Sequence, residues 1–229
     1  QSIEVFAFGA GNIGGTLLDQ IRDQHDKLLS QGVDIKVMAI STIDGLMINE
    51  DGIDLSNWRE ITKKMPLKAN VDDIINFVKE KKPLNPVFVD CTASYDLPER
   101  YLDILNAGMS IATPNKRANS MNIKFYRDLR KTANKMKRRF LYETNVGAGL
   151  PIIDTLQNLY KSGDKLERFN GIMSGSLSYI FGKLDEGVPF SKAVLEAREL
   201  RYTEPDPRDD LNGMDVARKA LIIARESGY

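Results

Sequence analysis

The run Ile3-Glu-Val-Phe-Ala-Phe8 empties directly into Gly9-Ala-Gly11-Asn12-Ile13-Gly14, and a helical pattern follows from about Gly15 to Leu29. A strand, a three-glycine turn and a helix in immediate succession leave few folds open. Gly9 permits the tight turn, Gly11 lets the main chain approach a pyrophosphate, and Gly14 lets helix and strand pack closely. The helix start offers N–H groups and positive potential to phosphates. The alternative is the same βα turn without a ligand.

The rest of the first half favours a dinucleotide site. Asp34 to Ile40, Val87 to Cys91, Ser110 to Thr113 and Phe140 to Glu143 read as strands. Val71 to Lys81, Leu97 to Ala107 and Ser120 to Lys137 read as helices between them. This alternation predicts βαβ units, and so an α/β fold with a doubly wound parallel sheet of Rossmann type. Thr42 to Leu67 is irregular, but Gly45, Gly52 and Trp58 suggest an ordered excursion. Beyond Val146 helices dominate, with the glycine-bearing Ile172-Met-Ser-Gly175-Ser176 among them. The chain of 229 residues is long for one small domain, and the expected domains are 1–147 and 148–229.

Charge and composition narrow the partners. With 32 basic and 32 acidic residues there is no electrostatic case for nucleic acid or a membrane surface. A single cysteine rules out an intrachain disulfide framework and fits a reducing, cytoplasmic setting. No apolar run approaches a membrane span, and no signal peptide is visible.

The reactive inventory is short. His25, the one histidine, falls in or just after the first helix, so neither a histidine relay nor a histidine-rich metal site is available. Cys91 ends an apolar strand and reads as a packing cysteine, with a thiol nucleophile as the alternative. Lys116 follows the strand Ser110–Thr113, where a residue faces the ligand crevice of a doubly wound sheet; an ordinary loop lysine is the alternative. The second strand ends Ala39-Ile-Ser41-Thr42, with no acid for an adenine ribose before Asp44. The Ser41 and Thr42 hydroxyls suit a 2′-phosphate, although no arginine or lysine stands beside them, so NADP is expected over NAD.

Tyr202-Thr-Glu-Pro-Asp-Pro-Arg-Asp-Asp-Leu-Asn-Gly-Met-Asp215 carries Glu204, Asp206, Asp209, Asp210 and Asp215. Pro205 and Pro207 stiffen the loop, Asp209 or Asp210 suits an N-cap, and Asp215 and Lys219 fall at i and i+4 of the next helix. Alone this reads as a charged turn and a surface helix. Met214, Val216, Ala217, Ala220, Leu221, Ile223 and Ala224 form the apolar face, and Lys219 lies on the solvated one. A rigid acidic loop that binds a cationic substrate, with a lysine that moves a proton, is the alternative. In Glu143-Thr-Asn-Val-Gly-Ala-Gly-Leu150 an extended chain would place the carbonyls of Val146, Ala148 and Leu150 on one side, beside Glu143. That set suits a monovalent cation; a glycine-rich hinge is the alternative.

Taken in order, Gly9–Gly14, Asp90–Ser94, Thr113–Lys116, Glu143–Pro151, Gly171–Gly182 and Tyr202–Lys219 resemble homoserine dehydrogenase along the whole chain. Gly14–Gln20 and Asp51–Trp58 are similar to the form fused behind an aspartate kinase. The resemblance implies reversible reduction of aspartate 4-semialdehyde to homoserine with NAD(P)H, by a homodimer. It implies Lys219 as proton donor, with Asp215 and Lys116 beside the reaction, and Glu204, Tyr202, Asp210, Gly175 and Ser176 around the substrate. Thr stands more often at the position of Ser176. It implies Gly9, Gly11, Asn12, Ile13, Gly14, Ser41, Thr92, Ser94 and Lys116 against the cofactor, and a sodium ion at Glu143, Val146, Ala148 and Leu150. It further implies a kinase before Gln1 and more chain after Tyr229, so that the second domain is an incomplete α+β substrate and dimerisation domain. Another NAD(P)-dependent aldehyde or hydroxy-acid reductase, or a non-catalytic dinucleotide-binding fragment, would share the first half of this pattern.

Overall fold

The structure, a computed structural model, describes residues 1–65, 68, 70–203 and 206–229, without the side chain of Asp209. It divides into two compact units, Gln1–Tyr142 and Glu143–Tyr229.

In the first unit β1 (Ser2–Phe8) is followed by α1 (Asn12–Ser30), β2 (Asp34–Ser41) and β3 (Leu46–Ile48). The chain continues through α2 (Trp58–Ile61) and α3 (Val71–Lys81) to β4 (Pro86–Asp90) and α4 (Tyr101–Asn106). β5 (Ser110–Ala112), α5 (Arg117–Ser120), α6 (Ile123–Lys135) and β6 (Phe140–Leu141) complete it. The sheet order is β3-β2-β1-β4-β5-β6, parallel except for the β2–β3 pair. β1 lies between β2 and β4, the point at which the winding reverses, so the turn after β1 opens the crevice where such sheets bind ligands. The edge strand β3 occupies part of the stretch expected to be irregular; three residues are too few to show a period.

Both faces of the sheet are covered, as a parallel sheet requires. Phe6, Phe88, Ile104, Leu105, Ile111 and Leu129 belong to one core, and Val5, Leu18, Ile21, Val37, Ile40 and Trp58 to the other. The excursion after β3 is pinned to α1, because Trp58 Nε1 donates to Asp19 at 3.0 Å and Arg59 pairs with the same carboxylate. α3 begins where Asn70 accepts from the Asp72 N–H at 2.9 Å, an N-cap that fixes its first turn. The helix expected from Ser120 to Lys137 is α6, which starts only at Ile123, because α5 ends at Ser120 and Asn122 caps a fresh start at 2.9 Å from the Phe125 N–H.

The second unit holds α7 (Ile153–Lys161), α8 (Gly175–Asp185), α9 (Phe190–Glu199), α10 (Arg208–Leu211) and α11 (Met214–Glu226), and no strand among its described residues. Ile180 of α8 packs with Ala193 and Ala197 of α9 in a small core. α7 is tied to α11 where the Tyr160 hydroxyl donates to the Ser227 carbonyl and Gln157 donates to Glu226, both at 3.0 Å. Asp209 and Asp210 fall within α10 rather than at its N-cap position, which is Pro207. Instead Asp206 accepts from the Arg208 N–H at 3.0 Å, and Asn212 accepts from the Met214 N–H at 2.8 Å at the start of α11. No helix among the described residues is long and apolar enough to cross a membrane.

Candidate active site

The groups that can carry chemistry fall in two places, one in each unit. In the first, Gly9 has φ +88°, and a Cβ there would stand 2.9 Å from the Cys91 main chain and from Thr92 Cγ2. A Cβ on Gly14 would strike the Gly9 carbonyl oxygen at 1.8 Å. Gly11 differs: a Cβ would meet nothing, and no side chain caps the first turn of α1. Two glycines are thus required by packing, whereas Gly11, Asn12 and Ile13 are exposed at an uncapped helix start. Those features fit a dinucleotide pyrophosphate lying against open main chain at a positive helix end.

Thr92 stands against this turn, Ser94 follows Thr92 on the loop after β4, and Lys116 lies on the loop after β5, each partly buried. Thr92 donates to Asp90 at 2.6 Å, and Ser94 accepts from the Asp96 and Leu97 N–H groups at 3.2 and 3.1 Å. Burial, and then the Asp90 charge, push the Cys91 thiol up to about 11, which leaves it protonated near neutrality and agrees with a packing role. His25 sits within α1 on the surface, its ring 3.1 Å from Asp26.

The adenine end needs one correction. Ser41 is 2% exposed, and its carbonyl accepts from the Gly9 N–H at 2.9 Å, so it walls the turn. Thr42 Oγ1 donates to the Met65 sulfur at 3.8 Å, which brings the end of the turn Thr62–Lys64 to the end of β2, while the Lys63 ammonium pairs with Glu60 at 2.6 Å.

In the second unit a cleft of about 720 Å³ is lined by residues 172–176, Ser178, Tyr179, Arg201 and Tyr202. Ser174 starts α8 by accepting from the Leu177 N–H at 3.2 Å. Ser176 donates to Asp210 at 2.8 Å, and Tyr202 meets Tyr179 edge-on at 5.0 Å. Lys219 is held from two sides. Its Nζ lies 2.6 Å from Asp215 Oδ2, one helical turn back, and donates to the carbonyl of Met173 at 2.8 Å. The lysine side chain is only 19% exposed. The expected solvated position is therefore wrong. α11 buries Ile222 and Ile223, while Met214 and Leu221 of the supposed core face are 48% and 37% exposed.

The other acids divide. Asp206 is chelated by Arg208, whose guanidinium holds the carboxyl down at about 2. Glu204 lies outside the described residues. The stretch expected to be extended from Val146 is coiled instead. Glu143–Asn145 is a 3₁₀ turn, and Gly147 and Ala148 have φ of +80° and +50°. The Glu143 carboxylate caps α7, accepting from the Ile153 and Asp154 N–H groups at 2.9 and 2.8 Å. Among the described residues no cluster of acidic, histidine or cysteine side chains could hold a metal. Two groups escaped the sequence reading: the Met173 carbonyl and Ser174. Only Ser174, a serine just before a helical run, carried a readable sign.

Sequence relatives agree with both halves of this description. Residues 9–143 match the homoserine dehydrogenase NAD-binding domain, and residues 151–229 match the homoserine dehydrogenase domain. The chain belongs to the homoserine dehydrogenase family. It is 46% identical over 226 residues to the bifunctional aspartokinase/homoserine dehydrogenase of Haemophilus influenzae, covering 99% of this chain and 28% of that protein. It is 40% identical over 235 residues to homoserine dehydrogenase of Schizosaccharomyces pombe, covering 99% and 62%. The fold is similar to a hyperthermophilic archaeal homoserine dehydrogenase in complex with NADPH, with TM-score 0.82, 26% identity, and 99% and 70% of the two chains covered. The chain thus spans little more than a quarter of the fused relative's length.

Proposed function

We propose that this protein catalyses the reversible, NAD(P)H-dependent reduction of L-aspartate 4-semialdehyde to L-homoserine, on the route to threonine and methionine. The observation that carries the proposal is the double anchoring of the Lys219 ammonium, by Asp215 and by the carbonyl of Met173, a residue that lines the cleft. The nicotinamide cofactor supplies a hydride when bound. Reduction of the aldehyde puts negative charge on its oxygen, and a fixed ammonium stabilises that charge and delivers the proton. Asp215 aims Lys219, and Lys116 attends the reacting end.

The substrate is a small zwitterion. Glu204 takes its ammonium, with Asp210 and Tyr202 lining the pocket and Gly175 and Ser176 closing it; the Ser176–Asp210 bond supports this by fixing both side chains. Gly9, Gly11, Asn12, Ile13 and Gly14 cradle the dinucleotide, while Ser41, Thr92 and Ser94 frame it. NADP is preferred over NAD, in keeping with the archaeal relative whose structure holds NADPH. A sodium ion, if held at Glu143, Val146, Ala148 and Leu150, rests on main-chain carbonyls, since the Glu143 carboxylate is engaged. The working protein is a cytoplasmic homodimer with an aspartate kinase ahead of this segment, in keeping with the fused relatives.

Homoserine-dependent reduction of NADP and of NAD, followed at the nicotinamide absorbance, tests the reading. Turnover with homoserine and none with other hydroxy acids is expected. Turnover only with a different hydroxy acid would reassign the substrate.

A further inference from the structure

One buried charge takes no part in the chemistry above. Asp90, at the end of β4, is fully buried. Its Oδ1 accepts from the N–H and hydroxyl of Thr92 at 2.7 and 2.6 Å. Its Oδ2 accepts from the Tyr101 hydroxyl at 2.5 Å and from Asn115 Nδ2 at 3.3 Å. Among the described residues no cation forms a salt bridge with it. Four neutral donors compensate a carboxylate that would otherwise be costly to bury.

Those donors come from three separate segments. Thr92 belongs to the loop after β4, Asn115 to the loop after β5, and Tyr101 begins α4 beneath them. Asn115 extends the link by donating to the Ser94 carbonyl at 3.0 Å and accepting from the Arg117 N–H at 3.0 Å. Thr113 closes it by donating to the Asp90 carbonyl at 2.9 Å. One carboxylate therefore registers the loop that carries Thr92 and Ser94 against the loop that carries Lys116. Thr92 in turn abuts the glycine turn, its Cγ2 being 2.9 Å from where a Gly9 Cβ would stand.

We infer that Asp90 and Tyr101 are a positioning pair for the dinucleotide site: without touching the ligand, they set Thr92 against the Gly9 turn and lock the Lys116 loop to it. This rests on the dinucleotide reading of Gly9–Gly14. The test is NADPH fluorescence titration of the wild-type protein, Tyr101→Phe, Asp90→Asn, Thr92→Val and the Tyr101→Phe/Thr92→Val double variant. Leu129→Ala, a truncation in the same core away from these loops, controls for lost stability. Tyr101→Phe and Asp90→Asn are each expected to weaken NADPH binding about tenfold. The double variant should bind hardly more weakly than the weaker single variant, because both substitutions cut one linkage. Leu129→Ala, with at least as large a fall in Tm, should bind as the wild type does. Wild-type affinity in Tyr101→Phe and Asp90→Asn would overturn the inference, as would losses that simply multiply or an equal loss in Leu129→Ala. Absence of NADPH binding by the wild-type protein would instead remove the dinucleotide reading and this inference with it.

Discussion

Lys219 owes its place to two neighbours of different kinds. Asp215, four residues back, was legible, since i and i+4 always meet on a helix. The Met173 carbonyl was not, because a main-chain group 46 residues away leaves no trace in local sequence. Counting apolar positions caught only part of the buried face of α11, taking in Ile223 but not Ile222. That count ranks faces by composition and cannot register that Ile222 and Ile223 alone are buried on this helix. At Cys91 the apolar strand before it gave the right answer, and the structure adds a pH dependence. Folding raises this thiol from its ordinary 9.0 to about 11, and burial also raises the Tyr101 hydroxyl. A group with a raised folded value keeps a proton that the unfolded chain releases, so stability is full below pH about 9 and is lost as pH climbs through about 11. Denaturant titrations between pH 8 and 11 should show this loss, with a shallower slope in Cys91→Ser, whose turnover at neutral pH should match the wild type.

Among the elements, α3 was legible to the residue, because an asparagine cap and an amphipathic run agree. β3 was not, because three residues are too few to show a period. Lys64→Glu should lower the ratio of NADP to NAD turnover by about tenfold, since it puts a negative charge on the turn that Met65 joins to Thr42 at the end of β2. A ratio unchanged in parallel assays would place the phosphate elsewhere. α9 ends on Arg201 in the left-handed region at φ +59°, with the Tyr202 N–H returning to the Ala197 carbonyl at 2.9 Å. Glycine is the residue suited to that position. Arg201→Gly should raise stability by about 1 kcal/mol, seen as a higher urea midpoint at unchanged slope.

At the scale of the whole molecule, each unit keeps its own core, and the two differ in size. Unit 1 has two large clusters on either side of a sheet, whereas α8 and α9 share a cluster centred on three buried side chains. Calorimetry should resolve two transitions, the earlier from residues 143–229. NADPH at about a hundredfold over Kd should stabilise the later one by about 2.7 kcal/mol and leave the earlier in place. The doubly wound sheet was legible because strand and helix alternate, although its strand order was not; the helical unit was less so, because its packing partners are set by contacts far apart in sequence. The most direct test of the proposed chemistry compares the wild-type protein with Lys219→Met, measuring homoserine-dependent NADP reduction and NADPH affinity in parallel. A fall in turnover of at least about a thousandfold with affinity unchanged is expected if Lys219 handles the proton. Turnover within a few-fold of wild type in Lys219→Met would contradict that role.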